Sequence, residues 1–470
     1  MFNGKNRTIP YGLLFDLIKF LKDKKYDVKA SDEVKQLYGN KQPLDIKYNL
    51  KYEPRYYQRD IVKTCLKYKK GIFVSPTASG KSYVIALILD NLIKSNLINQ
   101  TLIIVPTTNL ILQFHGDLIE YGIDESLLGK FFADEKNWDM PILISTWQSL
   151  THDNEKIRKS EIKKLSKELS KKKLKKEDRE TFKTRFDLLR SKQYIQNVQD
   201  LMQTRQQLLD KVDCFFVDEC QVLKSQQVSS LMQKIHNADW RFACTGTLPR
   251  SEIDKSNIIS FIGPVVKRLT VKQLTDKGYL NPCLIKQYNI FYSKRITGTL
   301  NEIKDQLFEN LYRQSIINDI VYENKGYNIL LLVNRVEMEG MVLEKQLKDE
   351  FPGYKIKYIH GKVKPVERDE WRKRCNDEDD VLLIATYSLF STGINIPNLS
   401  RIVLTSSFKS EIRILQSIGR SLRKPDTKKS SIIYDIADQT KFMRSHAKVR
   451  MSIYETEEFE VEETDFKEIK

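Results

Sequence analysis

The feature that most constrains the fold is an alternation of short apolar segments with stretches of helical periodicity. Between Tyr52 and Thr151, the runs GIFVSP, TLIIVP and PILIST each end in small, polar or proline residues, and helical patterns follow them. The alternation resumes in DCFFVDE and WRFACTGT and, further on, in NILLLVN, YKIKYIH, VLLIAT, RIVLTS and SIIYDI. Strands that are apolar throughout are covered on both faces, as in parallel sheets with helical crossovers. The sequence therefore predicts an α/β protein with two parallel-sheet domains.

Four segments are predicted along the 470 residues. Residues 1–45 are a small N-terminal appendage with an amphipathic stretch of helical spacing. Residues 46–280 form the first α/β domain and residues 281–449 the second. Residues 450–470 are predicted to be an acidic tail, because the last twenty residues contain eight acidic and two basic side chains.

The first domain contains an insertion of different character at residues 152–210. From Lys156 to Lys192 it has 16 Lys and Arg against 6 Asp and Glu, and no Gly or Pro occurs in the insertion. Apolar residues recur at helical intervals, which predicts a helical arm, most simply an antiparallel hairpin of two helices of about 25 residues each. The arm is either a solvated pair of charged helices or a surface that contacts phosphates or a partner.

Composition narrows the function. The formal net charge is +17 and the isoelectric point is about 9.3, which favours a polyanionic partner, usually nucleic acid and less often an anionic membrane surface. No apolar run approaches the roughly 20 residues of a membrane span, and the N-terminus lacks a signal-peptide pattern, so no membrane span is expected and the predicted location is cytoplasmic. Six Cys without C-x-x-C spacing and five scattered His argue against a disulfide framework and against zinc.

A phosphate-binding loop is predicted at residues 75–82, Ser-Pro-Thr-Ala-Ser-Gly-Lys-Ser, which follow a predicted strand and precede a predicted helix. Gly80 closes a turn whose backbone N–H groups can surround a phosphate, next to the positive end of the helix. Lys81 can reach the β- and γ-phosphates, and the Ser82 hydroxyl can ligate Mg²⁺. The first Gly of the usual pattern is replaced by Ser75. The residues predicted to bind ATP here are Thr77, Ala78, Ser79, Gly80, Lys81 and Ser82.

A pair of carboxylates, Asp218 and Glu219, stands at the end of the apolar strand DCFFV. A carboxylate in this position can hold Mg²⁺, and its neighbour can orient and deprotonate an attacking water. We assign Asp218 to the metal and Glu219 to the general base. The alternative is an ordinary acidic turn, which is less expected in a chain that already has a phosphate loop.

With these two motifs, the chain resembles the superfamily 2 helicases and translocases from Tyr52 to about Asp438. The resemblance is an ordered series of further motifs. They are Tyr57-Gln58 for the Q-motif, 105–110 for motif Ia, 145–150 for the next strand-touching motif, 245–247 for motif III, 330–335 for motif IV, 385–386 with 391–397 for motif V, and 416–423 for motif VI. The resemblance implies two tandem RecA-like domains, a basic helical insertion in the first, and use of ATP and Mg²⁺.

The resemblance also implies roles for individual residues. Arg423 is expected to be the arginine finger and Arg420 a second γ-phosphate contact, because a guanidinium stabilises the charge that develops during hydrolysis. Further nucleotide contacts are expected from Gln58, Gln221, Gly393 and Gln416. Contacts with the nucleic-acid backbone are expected from Thr107, Thr108, Thr146, Trp147, Arg335, Thr386 and Thr392. For two of these residues a structural role is an alternative to contact with nucleic acid: Trp147 is equally well explained as a core residue, and Arg335 as a surface charge.

Within the superfamily, the chain is similar to the UvsW type of phage recombination helicase. The similarity includes VPTT, TWQ, ATYSLFSTGI, LQSIGRSLRK and the upstream PYGLLFDLIKF. It implies an enzyme that unwinds, migrates or regresses branched and forked DNA in recombination, replication or repair, in the host cytoplasm if phage-encoded, with other proteins of those pathways as candidate partners. Two features depart from that family: Gln221 stands where His is usual, and the 152–210 arm is unfamiliar.

Three alternatives remain open. An RNA-directed helicase of the same fold is one, since these motifs contact phosphates and sugars. A non-catalytic nucleic-acid clamp or annealing module is another, and the intact motor residues argue against it. A small-molecule P-loop kinase is the third, and the second α/β domain with its own arginine motif argues against that.

Overall fold

A computed structural model of the 470-residue chain shows how these segments fold. It describes residues 9, 11–29, 31–32, 44–132, 135–137, 140–151, 154–170, 176–221, 230–232, 234–235, 237–249, 251–387, 389, 399–407, 418–419 and 430–469. The chain divides into two compact units, one with residues 1–73 and 82–267 and the other with residues 74–81 and 268–470. The division at 267 lies somewhat before the position that the sequence pattern predicted.

The elements up to Arg268 alternate as expected for an α/β fold. The helices are α1 (Leu14–Asp23), α2 (Tyr56–Tyr68), α3 (Lys81–Lys94), α4 (Thr108–Tyr121), α5 (Trp147–Thr151), α6 (Asn154–Leu169), α7 (Lys176–Arg190), α8 (Lys192–Lys211) and α9 (Glu252–Ile262). The strands are β1 (Lys70–Val74), β2 (Thr101–Val105), β3 (Leu128–Phe132), β4 (Glu135–Lys136), β5 (Ile142–Thr146), β6 (Cys214–Asp218), β7 (Trp240–Thr245) and β8 (Val265–Arg268).

The first sheet has eight strands in the order β4-β3-β5-β2-β6-β7-β1-β8. Strands β2 and β5 are buried along their whole length, as predicted for strands covered on both faces. Strand β2 pairs in parallel with β5 and β6, and β6 pairs in parallel with β7. The carboxyl ends of these four strands therefore share one edge of the sheet, and the segments that follow them carry most of the predicted motifs.

The N-terminal appendage packs on the first unit through α9. Gly12 lies so close to this helix that a Cβ atom at its position would stand 1.6 Å from the carbonyl oxygen of Ile259. Because any side chain would collide with backbone there, the approach requires glycine. The appendage is thus anchored by a backbone contact.

The arm differs from the predicted hairpin. Within residues 154–170 and 176–211, the structure shows three helices, α6, α7 and α8, of 16, 15 and 20 residues, instead of two of about 25. The break between α7 and α8 falls at Ser191, whose hydroxyl accepts a hydrogen bond from the N–H of Tyr194 and so caps α8. The apolar spacing alone did not reveal this cap.

The second unit repeats the α/β pattern. Its helices are α10 (Val271–Asp276), α11 (Leu300–Glu309), α12 (Leu311–Glu323), α13 (Val342–Glu350), α14 (Pro365–Asp377) and α15 (Met443–Thr456), with a π-helical turn at Val336–Met341. Its strands are β9 (Cys283–Phe291), β10 (Ile329–Val333), β11 (Lys355–Ile359), β12 (Val381–Thr386), β13 (Arg401–Leu404), β14 (Ser431–Asp438) and β15 (Glu460–Lys467). They form a sheet in the order β11-β12-β10-β13-β14-β9-β15, and every neighbouring pair is parallel.

The segment that composition predicted as an acidic tail is part of this sheet. Helix α15 runs through residue 450, and β15 pairs with β9 from Glu460 to Lys467. Phe466 packs on Tyr288 with 4.8 Å between the ring centroids. The acidic side chains of β15 remain exposed, so the strand tolerates its charge because it lies at the edge of the sheet.

All six cysteines are free thiols, and five of them are buried. No helix in the described ranges is long and apolar enough to cross a membrane.

Candidate nucleotide and nucleic-acid site

The phosphate loop follows β1 and is held closed by its own serines. The Ser75 hydroxyl donates a hydrogen bond to the Ser79 hydroxyl at 2.6 Å, and both side chains are buried. The N–H of Ser79 also donates to the carbonyl oxygen of Pro76 at 3.2 Å. Ser75, which stands in place of the usual first glycine, therefore contributes a contact that a glycine could not make.

Two residues of the loop have left-handed backbone conformations. Gly80 has φ +79° and Ala78 has φ +70°. The left-handed conformation is uncommon for a residue with a Cβ and is often found at functional sites, where it lets consecutive N–H groups converge. Lys81 begins α3, and its Nζ donates to the carbonyl oxygen of Ser75 at 3.5 Å. The lysine side chain thus bends back over the predicted phosphate-binding loop.

The carboxylate pair stands at the end of β6. Asp218 Oδ1 accepts hydrogen bonds from the N–H of Glu219 at 3.0 Å and from the thiol of Cys244 at 3.1 Å. Glu219 has φ +51°, another left-handed residue with a side chain. The phosphate loop and the carboxylate pair are therefore both strained, which is consistent with a site whose geometry is imposed by the surrounding fold.

A hydrogen-bonded relay connects Glu219 with the TGT segment after β7. Gln221 Nε2 donates to Glu219 Oε2 at 2.9 Å, and the Thr245 hydroxyl donates to Gln221 Oε1 at 2.6 Å. Thr245 Oγ1 also lies 2.7 Å from the Thr247 carbonyl oxygen and accepts from the Thr247 N–H at 3.1 Å. A glutamine amide can donate and accept at the same time, so Gln221 joins the predicted base to motif III without a histidine.

The donor set suits a magnesium ion that is held mainly by nucleotide and water. Ser82 and Asp218 offer hard oxygen atoms, which Mg²⁺ prefers. In the described part of the chain, no group of three His, Cys, Asp or Glu side chains is arranged to hold a metal by itself. Mg²⁺ is usually bound by one or two protein oxygens together with phosphates, and this arrangement fits that chemistry.

Two predicted contacts have local roles in the structure. Gln58 Oε1 accepts the N–H of Arg55 at 2.9 Å, so the side chain caps α2, and it is buried. Arg335 forms ion pairs with Asp305 at 2.7 Å and with Glu339 at 2.7 Å. A guanidinium between two carboxylates is already neutralised, so a phosphate would have to compete with them. The predicted contacts of Gln58 with adenine and of Arg335 with DNA stay predictions.

The remaining nucleic-acid candidates of the first unit lie along one edge of its sheet. Thr107 and Thr108 follow β2, and Thr146 and Trp147 end β5 and begin α5. Thr146 Oγ1 accepts the N–H of Ser149 at 3.1 Å, while Trp147 is partly exposed. The Thr107 hydroxyl is buried and has no hydrogen-bond partner among the described residues, and no side chain caps the start of α4. The N–H of Leu110 already donates to the Thr107 carbonyl oxygen at 3.1 Å, so an anion at this end of α4 would be met by the N–H groups of Thr108 and Asn109.

In the second unit, Thr386 ends β12 and is buried. Thr392, Gly393, Gln416, Arg420 and Arg423 lie outside the described residues. Their roles, including the arginine finger, stay predictions.

Two neighbours of the site were not predicted. Cys244 donates to Asp218, and Tyr121 places its hydroxyl 3.0 Å from the Ser82 hydroxyl. Cys244 directly precedes the TGT segment, so its position on β7 was a usable signal. Tyr121 is the last residue of a helix that begins at motif Ia, and no local pattern connects it with the phosphate loop.

Comparison with known proteins agrees with this architecture. Residues 51–250 match the domain described as the res subunit of type III restriction enzymes, and residues 312–425 match the helicase conserved C-terminal domain. The ATP-dependent DNA helicase uvsW of enterobacteria phage T4 is 23% identical over 464 residues, covering 92% of this chain and 80% of that protein. The DNA 3′-5′ translocase XPB2 of Sulfurisphaera tokodaii is 22% identical, covering 89% of each chain.

The fold is also similar to solved helicase structures. The structure of Dbp5 from S. cerevisiae bound to RNA and ADP BeF3 superposes with a TM-score of 0.51 at 16% identity, covering 97% of this chain and 94% of that one. The first domain match falls on the first unit except for residues 74–81, and the other match lies within the second unit. The chain belongs to the superfamily 2 helicases. It is an ATP-dependent helicase, an enzyme that works on nucleic acid.

Proposed function

We propose that the chain is a DNA motor that uses ATP and Mg²⁺ to unwind or remodel branched and forked duplexes. Similarity to a phage DNA helicase and to an archaeal DNA translocase supports DNA as the substrate. The net charge of +17 supports a polyanionic partner. The observation that carries the proposal is the relay from Glu219 through Gln221 to Thr245, because a passive clamp has no need to connect a general base to motif III.

Each residue of the proposed nucleotide site has a separate role in ATP hydrolysis. Lys81 and the N–H groups of the loop bind the phosphates, and Ser82 and Asp218 would hold Mg²⁺, which neutralises phosphate charge when bound. Glu219 accepts the proton of the attacking water, and Gln221 keeps the carboxylate oriented while it does so. Arg420 and Arg423 are proposed to stabilise the charge that develops on the phosphates.

The relay then explains how hydrolysis is coupled to movement. Any change in the position of Glu219 on cleavage of the phosphate bond is transmitted by Gln221 to Thr245 and so to the backbone of Thr247. We propose that this shift alters the hold of the first unit on the nucleic-acid backbone. The basic arm of α6, α7 and α8 is proposed to grip a duplex branch of the substrate, and the sites of action are replication, recombination or repair intermediates in the cytoplasm.

The test is the ATPase rate in the presence of different nucleic acids. We expect a four-way junction or fork to stimulate hydrolysis more than single-stranded DNA, linear duplex or RNA of equal length. Lys81→Ala should lower the stimulated rate at least about 100-fold, because no ammonium group then offsets the negative charge of the transferred phosphate. The same variant should still bind forked DNA.

Two outcomes would contradict the proposal. Equal or greater stimulation by RNA would favour an RNA-directed helicase. A Lys81→Ala variant that hydrolyses ATP at the wild-type rate would remove the phosphate loop from the chemistry altogether.

A further inference from the structure

Tyr121 is placed to control the Ser82 hydroxyl. Its own hydroxyl lies 3.0 Å from Ser82 Oγ, within hydrogen-bond distance, although the two residues are 39 positions apart in sequence. Ser82 is in the first turn of α3 and Tyr121 is the last residue of α4. The side chain that the proposed function assigns to Mg²⁺ therefore has a defined neighbour on another helix.

The Tyr121 ring is held by two other tyrosines. Tyr83 meets it edge-on with 4.9 Å between centroids, and Tyr52 meets it edge-on at 6.2 Å. The carbonyl oxygen of Tyr52 accepts from the Tyr83 hydroxyl, which ties these two residues together, while the Tyr52 hydroxyl points away to Glu120, 2.5 Å from it. The N–H of Lys51 donates to the Tyr121 carbonyl oxygen at 2.9 Å. Edge-to-face rings of this kind restrict one another's orientation, so the Tyr121 hydroxyl is directed at Ser82 by packing.

We propose that Tyr121 is a positioning residue for magnesium, which fixes the Ser82 hydroxyl so that its oxygen faces the bound ion. This inference rests on the proposed role of Ser82. A serine hydroxyl rotates freely unless a partner holds it, and a ligand that is already oriented loses less entropy when it binds a metal. Whichever of the two hydroxyls donates, at least one lone pair of Ser82 Oγ remains for the ion.

The contact that carries this role is with the Ser82 hydroxyl oxygen, 3.0 Å away. The Tyr121 hydroxyl is proposed to act only through Ser82, and it is therefore distinct from a metal ligand.

The test separates magnesium binding from nucleotide binding. The binding of a fluorescent ATP analogue to the full chain is measured by titration, first without a divalent cation and then at increasing Mg²⁺. For Tyr121→Phe we expect unchanged affinity without Mg²⁺, and a Mg²⁺ concentration for half-maximal enhancement about 10-fold higher than in the wild type, the usual range when the partner of a metal ligand is removed. The phenylalanine ring preserves the aromatic contacts, and thermal melting checks that the fold is intact.

The matched control is Tyr52→Phe. It removes a hydroxyl from the same aromatic cluster, one that bonds to Glu120 and not to Ser82. We expect its Mg²⁺ titration to coincide with that of the wild type. Equal titrations for Tyr121→Phe and wild type, or an equal shift in both tyrosine variants, would overturn the inference.

Ser82→Ala distinguishes this inference from the proposed function. If Ser82→Ala loses the Mg²⁺ enhancement while Tyr121→Phe keeps it, Ser82 is the ligand and Tyr121 has no positioning role. If Ser82→Ala also keeps the full enhancement, the assignment of Ser82 to the metal is wrong, and the proposed nucleotide site must be revised.

Discussion

At the scale of single residues, a glutamine at position 221 in place of the usual histidine changes the chemistry of the proposed coupling path. A histidine at this position can both donate and accept only while it is neutral, whereas an amide does both at every pH near neutrality. In the structure both functions of Gln221 are used, one toward Glu219 and one from Thr245. The relay therefore does not depend on a titratable group in its central link.

This gives a prediction about pH. Gln221→His should behave like the wild type at pH 8. Below about pH 6.5 the imidazole becomes protonated and can no longer accept the Thr245 hydrogen bond. We expect the number of base pairs unwound per ATP hydrolysed to fall severalfold for this variant between pH 8 and pH 6, while the wild-type ratio stays constant.

The measurement needs both rates on the same forked substrate, ATP hydrolysis and strand separation, at matched ionic strength. Wild-type protein at each pH is the control for effects of pH on the other groups. Identical ratios in the two proteins across this range would show that Gln221 does not carry the coupling.

At the scale of elements, the second sheet is held together by buried ion pairs at β14. Arg313 from α12 donates through Nε to Asp438 at 2.9 Å, and Arg450 from α15 donates through Nε to Asp435 at 2.8 Å. All four side chains are buried to within 2% of complete. Each guanidinium also bonds to a backbone oxygen, in Thr405 and in Ile436. These pairs fix the two helices against one strand of the second sheet.

Removing one charge of such a pair should be costly. Asp438→Asn leaves the Arg313 guanidinium buried without its counter-charge, and breaking a buried pair typically costs about 3–5 kcal/mol. We expect urea denaturation to show a decrease of this size in the free energy of unfolding of the second unit. Glu460→Gln, which neutralises an exposed carboxylate of β15 in the same sheet, should change it by less than about 0.5 kcal/mol. If both variants lowered the free energy of unfolding by a similarly small amount, the ion pair would make no contribution to the stability of the second unit.

At the scale of the whole molecule, the net positive charge can attract a polyanion, and part of this charge lies on the exposed surface of α6. Four lysines of this helix are exposed to solvent: Lys159, Lys163, Lys164 and Lys167. Neutralising phosphates releases counterions, so the affinity for DNA should depend steeply on salt. If the arm binds a duplex branch as proposed, its lysines should account for part of this salt dependence.

The arm is tested by replacing these four lysines with serine. We expect the slope of log K against log salt for forked DNA to become shallower by about 0.9 for each phosphate that the variant no longer neutralises. The matched control replaces four lysines of the N-terminal segment, Lys19, Lys22, Lys24 and Lys25, which removes the same net charge. Equal changes in both variants would indicate a general effect of charge, and no change in the arm variant would leave the arm without a role in binding.

The sequence by itself determined the class of fold, and it predicted where the motor motifs lie. Strands such as β2 and β5 are apolar throughout and buried throughout, because burial on both faces selects residue types that are visible one by one. The loop at 75–82 and the Asp218-Glu219 pair were predicted as sites because a phosphate cradle and a metal-binding carboxylate require particular residues at adjacent positions, and their roles stay predictions.

Only the tertiary structure decided which side chains meet. The hydrogen bonds of Ser82 with Tyr121, of Gln221 with Thr245 and of Arg313 with Asp438 join residues 39, 24 and 125 positions apart. The pairing of β15 with β9 likewise converts an acidic terminus into an edge strand. Local sequence patterns indicate whether a residue is buried or lies in a turn. They do not indicate which distant residue a side chain contacts, because that contact depends on how the crossover connections bring the helices together on the sheet.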